Sequence, residues 1–134
     1  MDSTEIEVET GTTLVTELTA ELRRFCAGHG DGLVNIFVPH ATAGVALMET
    51  GSGSEADLGT VVEHIVGRHS RYAHTHGSSG HGGDHVLPAF VSPSVTIPVL
   101  GGAPALGTWQ SLVLVDRNVD NPRRRVRFSF SRSA

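Results

Sequence analysis

The chain has no lysine, and all ten of its basic residues are arginine. That excludes Schiff-base catalysis and any phosphate loop built around a lysine. There is a single cysteine, Cys26, so no disulfide can form within the chain. Its place on the apolar side of an expected helix marks it as a buried, inert thiol. No apolar run is long enough to span a membrane as a helix. No positively charged, then apolar leader is visible at the amino end, so the expected location is cytoplasmic. A net charge of -4 argues against nonspecific nucleic-acid binding. The chain also lacks an Asp-rich magnesium motif, an internal repeat and a linker.

What remains fits one globular domain over residues 1–134, with 39% hydrophobic and 18% charged residues. Charge is divided along it. Residues 1–66 hold eleven acids and two arginines, whereas residues 67–134 hold three acids and eight arginines. The arginine-rich end offers places for a small anion.

Hydrophobic period sets the expected elements. Glu5 to Glu9 alternates charged and apolar residues, as a half-buried strand does. Leu14, Val15, Leu18, Leu22, Phe25 and Cys26 recur at helical spacing, with Thr12 or Thr13 as cap and Gly28 or Gly30 as stop. Leu33 to Val38 and Val45 to Glu49 read as strands. Ser54-Glu55-Ala56-Asp57 looks like a capping box ahead of Leu58, Val61, Val62 and Ile65. Residues 77–84 are too glycine-rich for regular structure and are expected to form a loop. Val86 to Val91 fits a short helix with Pro88 in its first turn. Strands follow at Val95 to Leu100, Thr108 to Asp116 and Arg124 to Phe130. This mixed order, ending on strands, predicts an α+β fold with a largely antiparallel sheet and helices packed on it.

Eight histidines stand in the chain. His40, His74 and His85 fall where expected elements begin or end, which suggests a shared site, since neutral imidazole is a common metal ligand and proton carrier. Their spacings of 34 and 11 residues are unlike those of a zinc finger, so only the fold can unite them. Three imidazoles with one open position suit catalytic zinc, but copper, nickel or iron fit as well. His76 shares a strand face with His74 and is the expected substitute. His81 falls in the loop, and His29, His64 and His69 read as solvated helix-end residues.

The motifs His40-Ala-Thr-Ala-Gly44 with Glu49, Tyr72-Ala-His74, Asp84-His85, Gly107-Thr-Trp-Gln110 and Asn121-Pro-Arg-Arg124 occur in an order that resembles the YjbQ family. That family is also described as the secondary thiamine-phosphate synthase enzyme family. The resemblance runs over essentially the whole chain. It implies an α+β fold, a homotrimer, and a histidine-lined pocket for a divalent metal or an anion. Residue by residue it carries over His40, Thr42, Glu49, His74, His85, Gly107, Trp109, Gln110 and Arg123. Met48 replaces the family's usual asparagine, and Asp116 stands for a glutamate.

On that pattern His40, His74 and His85 are the candidate metal ligands, with Glu49 as general base and Gln110 as a polar catalytic contact. Thr42, the amides near Gly44, and Arg123 are candidates for holding a phosphate. Trp109 is expected in the core. The implied reaction joins a pyrimidine diphosphate to a thiazole phosphate, with diphosphate leaving. The alternatives are a metal-dependent hydrolase and a non-enzymatic metal- or anion-binding protein.

Overall fold

A computed structural model describes residues 1–134. Eight strands, two full helices and a single helical turn form two antiparallel sheets, as the α+β expectation requires. The strands are β1 (Asp2–Glu9), β2 (Val15–Glu17), β3 (Gly32–Phe37), β4 (Ala43–Met48), β5 (Ser94–Leu100), β6 (Ala103–Pro104), β7 (Ser111–Asp116) and β8 (Arg123–Arg132). The helices are α1 (Thr19–Cys26), α2 (Ser54–Ile65) and the turn α3 (His81–Asp84), followed by a 3-10 turn at Leu87–Ala89. The larger sheet has the order β1-β8-β3-β5-β6, and the smaller has β2-β7-β4.

Alternation along the strands makes the layers. In β8, Val126, Phe128 and Phe130 point inward, where they meet Val34 and Ile36 of β3 and Leu112 and Leu114 of β7. Leu22 and Cys26 of α1 close this main core, and burial raises the Cys26 thiol above its usual range. In β7 the intervening Val113 and Val115 face the other way, against Val62 of α2, Val66 just past its end, and Leu87. The small sheet is therefore covered on both faces, and β7 reads as a continuous apolar run. Arg123, Arg125 and Arg127 point outward from β8, in register with the acids of β1: Glu5 opposite Arg127, Glu7 opposite Arg125, Glu9 opposite Arg123. The division of charge along the chain is thus resolved across one strand pair.

Several local expectations change. The first helix starts at Thr19, because the β-branched Val15 and Thr16 pair with Val115 and Leu114 instead. Its start carries no threonine cap, and the Thr19 hydroxyl accepts from the Leu112 amide at 2.9 Å. Gly28 ends it with φ 90°, a conformation that suits glycine. Ser54 caps nothing; Glu55 Oε1 instead accepts from the Gly51 amide at 2.7 Å. The expected loop 77–84 contains α3. Its glycines provide closeness rather than freedom, since a Cβ on Gly82 would meet His74 O at 2.7 Å and one on Gly83 would meet Tyr72 Oη at 2.6 Å. Trp109, expected in the core, is 74% exposed.

Candidate metal centre

Residues 67–85 fold back upon themselves so that histidines up to 11 residues apart meet. His81 opens α3 and His85 follows its last residue, a separation of one helical turn that puts both rings on one side. Their Nε2 atoms face each other at 2.9 Å. His74 enters from the preceding irregular segment, with its ring centroid 4.2 Å from that of His85. One nitrogen from each of His74, His81 and His85 lies within 4.8 Å of the others. His74 Nε2 is buried with no hydrogen-bond partner. His76 packs on His74 with centroids 3.9 Å apart, beside the group and outside it. A cavity of about 210 Å³ opens against His74, His76 and His81.

Electrostatics favours the ligand form of these rings. Desolvation, then the neighbouring imidazoles, hold His74 and His85 below the ordinary histidine range, so both are neutral near pH 7. Around them stands a ring of charge. Asp84 is fully buried and accepts from Arg117 Nε at 2.8 Å, with Arg68 Nη2 at 3.7 Å. Arg117 also reaches Glu63 at 3.3 Å and donates to the Val66 carbonyl. Asp120, in the connection from β7 to β8, accepts from the Ser78 amide at 3.1 Å. That bond outweighs the opposing effect of desolvation and keeps its carboxyl below the usual range.

The other expected site residues are placed elsewhere. His40 does not join the group, because its Nε2 accepts from the Arg125 amide at 2.9 Å and so belongs to the edge of β8. Burial, then Arg124 and Arg125, lowers its pKa. Thr42 is buried and its hydroxyl accepts from Arg124 Nη2 at 3.2 Å and Asn118 Nδ2 at 3.4 Å, which closes it to a phosphate. Arg124 in turn pairs with buried Asp116. Gly44 allows β4 to pass against the Val91 backbone, where a Cβ would overlap its carbonyl. Arg123 points to solvent and pairs with Glu9 at 3.1 Å and Glu7 at 4.0 Å.

Glu49 and Gln110 share the far end of the small sheet. Met48 pairs with Ser111 there, whereas Ala43 pairs with Asp116 at the end nearest Arg117 and Asp84. Five residues of strand separate the two ends, about 17 Å at about 3.3 Å per residue. Glu49 is exposed beyond β4, and Gln110 Oε1 accepts from the Gly107 amide at 2.8 Å. Within one chain neither reaches the histidines. The member of this group that the sequence reading left in the loop is His81; its i, i+4 spacing to His85 was the available signal, hidden by the two glycines between them.

Comparison with known proteins supports the same architecture. The chain is 59% identical over 130 residues to the UPF0047 protein Rv2556c of Mycobacterium tuberculosis, covering 97% of this chain and 98% of the relative. It is 34% identical over 96 residues to the UPF0047 protein MJ1081 of Methanocaldococcus jannaschii, 71% of this chain and 66% of that one. Among solved structures, hypothetical protein APE1520 of Aeropyrum pernix superposes with a TM-score of 0.89 at 25% identity, covering 99% of this chain and 100% of its own. A YbjQ-like protein of unknown function from Sulfolobus solfataricus gives 0.90 at 21%, covering 98% and 97%, and shares the fold. The model of the family "UPF0047 protein YjbQ-like" matches residues 4–133, and the chain belongs to that family.

Proposed function

We propose that His74, His81 and His85 bind a divalent transition metal of the zinc type, and that the centre acts on a small phosphorylated molecule. The observation that carries this reading is the buried, unpartnered Nε2 of His74 beside the facing Nε2 atoms of His81 and His85. A buried imidazole nitrogen without a partner is costly, and a shared cation would satisfy it. Three neutral imidazoles match the donor set of catalytic zinc and leave a position open. A bound metal would supply positive charge for a phosphate or diphosphate group. The protein's own residues bury the His81 ring and half-bury those of His74 and His85, set the Asp84 and Asp120 carboxylates behind His81, and provide the adjoining cavity.

Thiamine-phosphate synthase activity, implied by the family resemblance, is the first reaction to assay, with a metal-dependent phosphate hydrolase second. A binding protein without catalysis is supported by a separate observation: Arg68 and Arg117, which reach Asp84, are already committed to acids and carbonyls. Glu49 and Gln110 serve this site only if a neighbouring copy brings them to it, which ties their catalytic role to the homotrimer. Sedimentation of the purified chain tests that assembly; the mass of a monomer would remove both residues from the mechanism.

The deciding experiment is metal analysis of the purified protein, followed by zinc or cobalt titration of the metal-free form near pH 7.5. One ion per chain is expected, with binding lost in His74→Ala, His81→Ala and His85→Ala and kept in His40→Ala. A wild-type chain that neither carries nor takes up metal would sink this reading.

A further inference from the structure

His81 differs from its two companions in what lies behind it. Its Nδ1 is 3.2 Å from Asp120 Oδ2 and 3.5 Å from Asp84 Oδ2. The ring is almost wholly buried, and its Nδ1 has no well-aligned hydrogen bond. Asp84 Oδ2 is also buried and unpartnered, because Arg117 takes the other oxygen. The two carboxylates come from different parts of the chain. Asp84 is the last residue of α3, whereas Asp120 arrives from the β7–β8 connection and is anchored by the Ser78 amide and hydroxyl at 3.1 and 3.3 Å.

We propose that Asp84 and Asp120 are positioning residues for the histidine centre, holding the His81 proton on Nδ1 so that Nε2 keeps its lone pair for a divalent cation. A neutral imidazole has one N–H, and that proton is favoured on the nitrogen that faces a carboxylate. With Nδ1 protonated, His81 Nε2 is an acceptor. In the metal-free chain it receives the His85 Nε2–H across 2.9 Å. A cation placed between the rings would take over that lone pair, and His85 would move its own proton to Nδ1. This carboxylate–histidine arrangement is the usual support of a metal-ligating imidazole. It also selects the sign of the ligand: carboxylate charge behind the ring disfavours an anion in front of it and favours a cation.

The proposal rests on the metal reading, but its test separates the two. Ring nitrogen NMR of the metal-free full chain at pH 8 reports the tautomer of His81 directly. Wild type is expected to show Nδ1–H. Asp120→Ala, at a carboxylate whose side chain is 37% exposed, should shift His81 toward Nε2–H and weaken zinc binding by about 10- to 100-fold. Asp84→Asn should act the same way, with circular dichroism to confirm folding, since its partner Arg117 is left unbalanced. An Nε2–H tautomer in wild type, or an Asp120→Ala chain with unchanged tautomer and unchanged zinc affinity, would overturn the positioning role. Wild type that shows Nδ1–H but takes up no zinc would uphold the positioning and dismiss the metal.

Discussion

At the scale of single residues, the histidine group joins protonation to stability. His74 and His85 are held below the ordinary imidazole pKa, first by desolvation and then by neighbouring rings. The unfolded chain binds protons near pH 6.5 that the folded cluster refuses, so unfolding gains as pH falls through that range. Stability from these groups is therefore present above about pH 6.5 and lost below it. Melting of the metal-free protein should show Tm falling from pH 8 to pH 5.5. The fall should be shallower in His85→Gln, and equal slopes would contradict the assignment. His74 and His85 drew attention in the sequence because each falls where an expected element begins or ends, although in the fold only His85 stands at one, the end of α3. His81 drew none, because Gly82 and Gly83 beside it resemble a flexible linker until their neighbours are known.

At the scale of elements, α3 exists because those glycines admit close approach. A side chain at Gly82 would collide with Tyr72 and with the His74 carbonyl, atoms of the same folded segment that carries the site. Gly82→Ala is therefore expected to destabilise the chain by about 1–3 kcal/mol, as overpacking does. Because the collision is with His74 itself, zinc affinity should fall in the same variant, read by titration beside thermal melting. Full metal affinity with an unchanged Tm would show that the segment yields at little cost. Strands were the more readable elements: alternation in β8 and the apolar run of β7 mark their buried faces directly. The amphipathic face of α2 was read correctly as a stripe, yet Val61 and Ile65 on it remain half-exposed beside Phe90, which is 62% exposed. Periodicity names a face; it does not say how fully that face is covered.

At the scale of the whole molecule, one buried pair joins the two sheets. Arg124 belongs to β8 in the larger sheet and Asp116 to β7 in the smaller, and each is almost wholly buried. Thr42 and Asn118 complete the polar network around them. Arg124→Ala would leave the buried Asp116 carboxylate without its cation, with the Asn118 backbone amide still donating to it, at a cost of about 3–5 kcal/mol. Denaturant unfolding should show that loss, while Arg123→Ala, a neighbour paired only with exposed acids, should change stability by no more than about 1 kcal/mol. If the two variants cost the same, the burial argument fails. Alternation in β8 puts Arg124 on the apolar face of Val126 and Phe128 and Arg123 on the opposite one, so the arginine carried over from the family pattern as a phosphate ligand was the solvated one.

The sequence by itself determined the α+β class, the family and most strand positions, and it marked histidines as candidate ligands, because period and motif order are local properties of the chain. Tertiary structure decided which histidines meet. It turned His40 to a backbone amide of β8, brought His81 in place of it, and set Glu49 and Gln110 at the opposite end of the small sheet. Those choices depend on how residues far apart in sequence pack, on a Cβ that would or would not fit and a carboxylate that does or does not find its arginine.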